Sequence, residues 1–241
     1  MKENKYDNKE FFSKYSQMDR SVKGLSAAGE WETLKSIMPN LKNKSMLDLG
    51  CGFGWHCQYA IDEGAKKVVG IDISTNMLEV AKEKTDSRIE YEVKAMEDIN
   101  YPNETFDVVL SSLALHYIKD FNIVVDKVYS SLKKEGVFLF SVEHPVFTAE
   151  GSQNWKYKEN GDINYFPVNN YFYEGKRNTS FLGEKVVKYH RTLTTYIQLL
   201  LDIGFSIHKV IEPMPSKHLL DVPGMKDEMH RPMMLIIYAV K

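Results

Sequence analysis

The sequence predicts a doubly wound α/β fold, in which a mostly parallel sheet carries helices on both faces. Short apolar runs such as Ser45–Leu49 have the length and composition of buried parallel strands. Segments with helical spacing follow them, as in Thr75–Lys84 (TNMLEVAKEK), and this alternation repeats along the chain. Because parallel strands need crossover connections, regular strand–helix alternation favours this fold class.

Each predicted element has its own local signal. A helix over residues 54–63 is expected to end at Gly64, a helix-terminating residue type. Ser74 is a typical N-cap for the helix that follows it, and Met77, Leu78 and Ala81 form the apolar stripe of that helix. The other predicted elements are strands at 66–71, 88–93, 106–110, 136–142, 205–211 and 233–240, and helices near 121–132 and 192–201.

Residues 144–190 interrupt the alternation. This segment is rich in Asn, Gly and Lys, and a structureless loop of its length is unusual in a compact domain. We expect a lid or small subdomain that binds a planar or partly apolar small molecule, with a dimerisation surface as the main alternative. Its ten aromatic residues are Phe147, Trp155, Tyr157, Tyr165, Phe166, Tyr171, Phe172, Tyr173, Phe181 and Tyr189.

Composition narrows the classes of partner. The 241 residues carry a formal net charge of −2, and this absence of a basic excess argues against nucleic acid. No apolar stretch approaches the length of a membrane helix. Cys51 and Cys57 are too few for a disulfide framework or a four-ligand metal site. We expect a single cytoplasmic domain over 1–241, without a metal and as a monomer or homodimer.

The first predicted strand leads into a loop of alternating glycines within residues 46–57, MLDLGCGFGWHC. Such glycines allow a sharp turn and let a ligand approach main-chain atoms. Trp55 stands where the dinucleotide fingerprint has its third glycine, and no Walker A lysine follows. Asp48, just before the glycines, repels a pyrophosphate but suits a cationic ligand. S-adenosylmethionine, which carries an ammonium and a sulfonium, is such a ligand.

Asp72 ends the second predicted strand, about twenty residues beyond the glycines. An acidic side chain at this position accepts hydrogen bonds from both hydroxyls of a ribose. Ile73 and Met77 follow, and they either cover an adenine face or pack in the core.

Four motifs together resemble the class I S-adenosylmethionine-dependent methyltransferases, in particular the ubiquinone/menaquinone-biosynthesis type (the methyltransferase type 11 group). They are MLDLGCGFG, GIDIS, the acidic Met96-Glu97-Asp98 and FDVVLSSLALHYI. The resemblance runs in register over residues 15–142. It implies a Rossmann-like sheet of seven strands with an antiparallel last strand, and S-adenosylmethionine as the cofactor.

The resemblance also implies roles for residues of the first two motifs. Gly50 and Cys51 are expected to supply backbone contacts to the methionine moiety, and Gly52 gives it clearance. Asp48 is expected near its amino group, and Asp72 on the ribose.

The later motifs imply the remaining cofactor contacts. Met96 and Glu97 are expected to border the adenine, and Ser112 and Leu113 to flank the methionine and its sulfonium. Ala95 stands where many relatives carry Asp, so the contact to the adenine amino group shifts to a neighbouring acid or is absent.

An N-terminal segment, residues 1–40, precedes the core. In related enzymes such a segment folds over the cofactor, which places Tyr15 and Arg20 at the methionine carboxylate, Arg20 by a bidentate contact. The alternative is a surface helix that packs through Leu25 and Trp31.

Methyl transfer to a nucleophile needs a base only when the acceptor must lose a proton. The candidate bases are His116, Glu143 and His144, and further along the chain His190. Pro145 holds His144 in extended chain at the carboxyl end of a strand, which is expected to direct it towards the crevice. A purely structural histidine is the alternative.

The sequence therefore predicts an enzyme that methylates a small-molecule acceptor, at oxygen or nitrogen rather than carbon. A catalytically silent module that binds S-adenosylmethionine and acts through a protein partner is the alternative.

Overall fold

The computed structural model describes residues 4–241 and confirms the predicted α/β fold. The helices are α1 (Lys9–Ser16), α2 (Asp19–Lys23), α3 (Trp31–Ser36), α4 (Trp55–Asp62), α5 (Thr75–Lys84), α6 (Phe121–Ser131), α7 (Pro145–Thr148) and α8 (Leu193–Ile203). The strands are β1 (Ser45–Leu49), β2 (Lys67–Asp72), β3 (Glu90–Val93), β4 (Phe106–Ser112), β5 (Leu132–Glu143), β6 (Lys156–Tyr157), β7 (Ile163–Tyr165), β8 (Gly175–Phe181), β9 (Glu184–His190), β10 (Ser206–Ile211) and β11 (Met234–Val240).

Seven strands form one sheet in the order β10-β11-β5-β4-β1-β2-β3. Strand β1 pairs in parallel with both β2 and β4, whereas β11 runs antiparallel to β5 and β10. The predicted antiparallel last strand is therefore confirmed. The chain order reverses direction across the sheet between β1 and β4, which is where ligands lodge in open α/β sheets, beyond the carboxyl ends of the strands.

Strand β1 shows why the sheet is buried on both faces. Leu47 and Leu49 belong to the core cluster that includes side chains of α6 and α8. Met46 points to the opposite face, where it packs with Cys57 and Ala60 of α4. Because alternate residues of a strand face opposite ways, a strand covered on both sides is apolar almost throughout.

The local signals at helix ends are also confirmed. The Ser74 hydroxyl accepts a hydrogen bond from the Met77 amide at 3.2 Å, as an N-cap does. Gly204 ends α8 in the left-handed conformation. One bound differs by more than two residues: β5 begins at Leu132 rather than 136, because Leu132 pairs with Phe106 across a register shift that the sequence pattern does not show.

The segment 144–190 has secondary structure of its own. It holds α7 and two antiparallel hairpins, β6–β7 and β8–β9. Three of its aromatic rings surround the guanidinium of Arg231, at 4.3 Å for Phe147, 5.1 Å for Trp155 and 4.6 Å for Phe166. Much of the aromatic surface of the insertion therefore packs on itself and on this arginine.

The glycine at position 54 is required by its surroundings. Gly54 has φ +75°, and a Cβ there lies 2.0 Å from the Tyr91 hydroxyl. We expect Gly54→Ala to lower the free energy of unfolding by at least about 3 kcal/mol, because backbone strain and overpacking add.

Gly161→Ala is the matched control, since Gly161 has φ +86° and open space around its Cβ position. The expected loss in the free energy of unfolding of this control is about 1 kcal/mol, which reflects backbone strain alone. Urea denaturation of both variants gives the comparison, and equal losses would show that the contact with Tyr91 does not constrain position 54.

Candidate active site

A cavity of about 320 Å³ opens at the carboxyl edge of the sheet, where β1, β2, β4 and β5 end. We define its cofactor half by the residues at the carboxyl ends of β1, β2, β3 and β4, together with Tyr6, Tyr15 and Arg20 of the N-terminal segment. The acceptor half consists of His116 and Tyr117, Glu143 at the end of β5, and residues of the insertion. The cofactor half includes Gly50, Cys51, Gly52, Asp72, Ile73, Met77, Met96 and Glu97; the acceptor half includes His116, Tyr117, Glu143, Phe181, Val186 and Lys188.

The glycine loop is fastened to the end of β2. The amides of Gly50 and Cys51 both donate to the Ile71 carbonyl at 2.9 Å. The Gly52 amide donates to Asp72 Oδ2 at 3.0 Å, and the Ser74 amide donates to Asp72 Oδ1 at 2.9 Å. Burial raises the pKa of Asp72 to about 6, although these amide hydrogen bonds oppose the rise.

The N-terminal segment attaches beside this loop. Asp7 Oδ1 accepts hydrogen bonds from the Ser74 hydroxyl at 2.6 Å and the Asn76 amide at 3.2 Å. The Asn76 side chain in turn donates to the Tyr6 carbonyl at 3.2 Å. Tyr6 and Tyr15 line the cavity, and their rings contact each other edge to face with centroids 5.1 Å apart.

Arg20 is held at the cavity wall by a buried ion pair. Its Nη2 atom lies 2.8 Å from Glu30 Oε1 and donates to the Ser112 hydroxyl at 3.3 Å. Glu30 is completely buried, which by itself raises the pKa of its carboxyl, but the charge of Arg20 and the hydrogen bonds to the carboxylate together outweigh burial and lower the pKa. One guanidinium nitrogen is thus committed to the protein, and the others remain available to an anion in the cavity.

The structure brings most of the predicted cofactor residues together. Of the thirteen, twelve line the cavity: Tyr15, Arg20, Gly50, Cys51, Gly52, Asp72, Ile73, Met77, Met96, Glu97, Ser112 and Leu113.

Asp48 is the exception, and its predicted position near the cofactor amino group is corrected. Its side chain is buried, and Oδ2 accepts a weak hydrogen bond from Cys57 Sγ at 3.5 Å. Asp48 is on the same face of β1 as Met46, so its side chain points towards α4 and not beyond the strand end. Burial raises the pKa of Asp48 to about 7, although the hydrogen bond from Cys57 opposes the rise.

His144 also lies outside the cavity lining, contrary to the direction expected from Pro145. Its Nδ1 atom accepts from the Val146 amide at 3.0 Å and caps α7, and Nε2 lies 2.9 Å from Glu212 Oε1. His190 contacts the Thr148 hydroxyl and the Tyr171 carbonyl instead of the cavity. Both histidines have structural partners that occupy both ring nitrogens.

His116 and Glu143 do line the cavity, where they form a cluster with a lysine of the insertion. Lys188 Nζ lies 2.5 Å from Glu143 Oε1, and the Gln153 amide donates to Glu143 Oε2 at 2.7 Å. His116 Nε2 lies 4.0 Å from Glu143 Oε1. Tyr117 completes the wall, with Lys188 Nζ 5.8 Å from the centre of its ring.

Sequence reasoning missed Lys188, Tyr6 and Tyr117 as cavity residues. A signal for Lys188 was present in β9, because Val186, Lys188 and His190 alternate on one face of that strand and all three are buried. Of the ten aromatic residues in the insertion, Phe181 alone is among those that line this cavity.

These residues fit S-adenosylmethionine. The cavity volume is in the range of small-ligand sites. A Cβ at Gly52 would meet nothing within 4 Å, so the backbone there faces open space. Asp72 supplies a carboxylate for ribose hydroxyls, Met77 and Met96 supply apolar surface, and Arg20 supplies donors for a carboxylate.

Comparison with known proteins agrees with this geometry. Residues 47–140 match the family model for a methyltransferase domain. A structure from Listeria monocytogenes, assigned to the S-adenosylmethionine-dependent methyltransferases, is 57% identical and covers 90% of this chain and 99% of that one, with a TM-score of 0.86. The structure of a methyltransferase of the same class from Mesorhizobium loti is 37% identical and covers 90% of this chain and 100% of that one, with a TM-score of 0.84. An uncharacterized protein of Haemophilus influenzae is 35% identical over 98% of this chain and 96% of its own.

The chain therefore belongs to the S-adenosylmethionine-dependent methyltransferases. This confirms the resemblance, the class of enzyme and the cofactor that the sequence predicted.

No helix within residues 4–241 is long and apolar enough to cross a membrane. No group of three or more His, Cys, Asp or Glu side chains in that range is arranged to hold a metal ion.

Asp48 gives a pH dependence with a definite sign. Its pKa is about 7 in the folded protein and about 4 in the unfolded chain. Between these values the folded protein keeps a proton that the unfolded chain has released, so this group lowers the free energy of unfolding as pH rises from about 4 to 7. Asp48→Asn removes this pH-dependent loss. The free energy of unfolding of the variant, measured relative to that of the native protein at the same pH, should therefore rise by up to about 4 kcal/mol between pH 4 and pH 7.

Urea unfolding at several pH values measures this difference. Asp126→Asn, on the exposed face of α6, is the control and should differ from the native protein by a constant amount. A pH-independent difference for Asp48→Asn would contradict the raised pKa.

The pair of Lys188 and Glu143 should be costly to break. Lys188→Met leaves a buried carboxylate without its cation and is expected to lower the free energy of unfolding by about 3 kcal/mol. Adding Glu143→Gln should recover part of this loss. The exposed pair of Lys23 and Asp19 is the control, where Lys23→Met should cost less than about 0.5 kcal/mol. Equal losses at the two lysines would contradict a tightly coupled buried pair.

Proposed function

We propose that this chain transfers a methyl group from S-adenosylmethionine to a small-molecule acceptor, at oxygen or nitrogen rather than carbon. The observation that carries the proposal is one cavity with two chemically different halves. The cofactor half has a glycine loop and the Asp72 carboxylate, and the acceptor half has a cluster of titratable and aromatic side chains. A cavity of about 320 Å³ suits small ligands and not a polymer.

In the cofactor half, we assign Asp72 to the ribose hydroxyls and the backbone of Gly50, Cys51 and Gly52 to the methionine moiety. Arg20 is assigned to the methionine carboxylate, which its unpaired nitrogens reach from the cavity wall.

Four other residues complete the cofactor contacts. Met96 and Glu97 border the adenine, and Ser112 and Leu113 flank the sulfonium. When bound, the cofactor supplies a methyl group already activated for displacement, so the chain has to position the acceptor and exclude water.

Two segments outside the sheet enclose the reaction. We assign the cover of the cofactor half to the N-terminal segment, whose described part, residues 4–40, supplies Tyr6, Tyr15 and Arg20 to the cavity lining. Residues 144–190 form the acceptor wall through Phe181, Val186 and Lys188. We assign these roles because the two segments supply side chains that the strand ends do not.

We also expect a cytoplasmic reaction without a nucleic-acid partner, carried out by a monomer or homodimer. The net charge of −2 supports the absence of nucleic acid, because phosphate backbones are bound by basic surfaces.

A second candidate function is a module that binds the cofactor and acts through a protein partner. Phe172 and Tyr173 favour it, since they are 87% and 76% exposed at the tip of the insertion, as docking residues are. This candidate predicts cofactor binding without methyl transfer to any small molecule.

Isothermal titration calorimetry with S-adenosylmethionine tests the cofactor half. We expect binding by the native protein, and at least about tenfold weaker binding by Asp72→Asn, because charged hydrogen bonds to the ribose are lost. Asp126→Asn, a change of the same kind on an exposed helix face, should bind normally. No binding at millimolar cofactor would refute the proposal, and normal binding by Asp72→Asn would remove the ribose assignment.

A further inference from the structure

Building on the proposed function, we propose that the acceptor half provides hydrogen bonds but no general base. The accepting atom is then a nitrogen that has a lone pair without first losing a proton, as in a nitrogen heterocycle or an uncharged amine. This narrows the oxygen-or-nitrogen choice to nitrogen, and it rests on how His116, Glu143 and Lys188 engage one another.

The accepting nitrogen of His116 is already occupied. Its Nδ1 atom accepts the backbone N–H of Glu143 at 3.4 Å, which places the ring proton of the neutral imidazole on Nε2. Nε2 lies 4.0 Å from Glu143 Oε1, so the ring directs an N–H towards this carboxylate. The ring is buried, and its centre is 4.5 Å from that of Tyr117.

The charges around His116 also keep it neutral. Burial is the largest cause that lowers its pKa to about 4; Glu143 acts in the opposite direction, and Lys188 and Arg191 act in the same direction as burial. His116 therefore donates one hydrogen bond and takes up no proton near neutral pH.

Glu143 is held in its ionised form. Burial alone raises the pKa of a carboxyl, but here the ring N–H of His116, the ammonium of Lys188 and the amide of Gln153 together outweigh burial, and the pKa of Glu143 is lowered. Both carboxylate oxygens have protein donors, Lys188 on one and Gln153 on the other. A carboxylate stabilised in this way accepts hydrogen bonds from an acceptor but is a weak base.

The tyrosine hydroxyls in and beside this half are donors. Tyr117 belongs to the acceptor half, and Tyr6 and Tyr15 adjoin it from the cofactor half. Burial raises the pKa of all three hydroxyls, so they stay protonated. Lys188 gives two of its three protons to Glu143 and Gln153, and the carboxylate 2.5 Å away cancels its charge. It therefore offers little stabilisation to an acceptor oxyanion.

This arrangement selects the acceptor by chemistry. A hydroxyl has to lose its proton to a base before or during attack, and this half has none to offer among its described residues. A neutral nitrogen attacks with its own lone pair: the nitrogen–carbon bond forms, the carbon–sulfur bond breaks and its electron pair stays on sulfur. The positive charge moves from sulfur to nitrogen, and no proton is transferred.

The surroundings of Lys188 show that a cation is tolerated in this position. Its ammonium lies 5.8 Å from the ring centres of both Tyr117 and Phe181 and against the Glu143 carboxylate. Ring faces of this kind stabilise the charge that arrives on a methylated nitrogen.

Nitrogen-15 NMR of the histidine rings tests the inference without an acceptor. The protein is saturated with S-adenosylhomocysteine and studied from about pH 5 to about pH 9, and the His116 signals are assigned by their loss in His116→Gln. We expect the Nε2–H form and no titration in this range. A titration near pH 6.5, or the Nδ1–H form, would leave a nitrogen free to take a proton and would overturn the inference.

A matched pair of probes supplies the second measurement. Quinoline and 2-naphthol are both flat two-ring molecules. Quinoline offers a ring nitrogen as the accepting atom, whereas 2-naphthol offers a hydroxyl. With methyl-deuterated S-adenosylmethionine and mass spectrometry, we expect label on quinoline at least about tenfold faster than on 2-naphthol. Comparable or faster labelling of 2-naphthol would overturn the inference. Where neither probe is labelled, the NMR result decides.

The two proposals fail in different ways. Loss of S-adenosylmethionine binding in calorimetry counts against the proposed function. Normal cofactor binding together with a basic His116 counts against this inference alone.

Discussion

The cofactor half depends on the hydrogen bonds that the carboxylate of Asp72 accepts. One oxygen holds the amide of Gly52 and the other holds the amide of Ser74. The first bond fixes the glycine loop after β1, and the second sets the turn from which Ser74 caps α5. Because Asp7 bonds to the same serine, the N-terminal segment is also anchored to this turn. A single buried acid thus connects two strand ends, a helix and the covering segment.

The acceptor half is built from more distant parts of the chain. Glu143 ends β5, whereas Lys188 comes from β9 in the insertion, 45 residues later. Their buried ion pair joins the insertion to the sheet, and Gln153 adds a second link. Loops and insertions vary more freely than a sheet, so the fold fixes the cofactor end and leaves the acceptor end to the insertion.

The sheet and the cofactor loop were predictable because their signals are local. Thr75–Lys84 has its apolar stripe in the sequence and its cap, Ser74, directly before it, and the loop glycines have positive φ angles, which is a local requirement of the backbone. Asp48 and His144 were misplaced for a different reason. Each is close to a strand end, but strand alternation turns Asp48 towards α4, and His144 caps a short helix that the pattern did not reveal. Lys188 and Glu143 meet only through tertiary packing. No fixed spacing along a single sequence predicts that two residues so far apart form an ion pair.

A crystal structure with S-adenosylhomocysteine is the most direct test of the account. The account predicts both ribose hydroxyls on Asp72, the carboxylate of the ligand on Arg20, and the sulfur directed towards His116, Tyr117 and Glu143. A ligand whose sulfur faces away from those three residues, or whose ribose lies off Asp72, would contradict the division of the cavity into a cofactor half and an acceptor half.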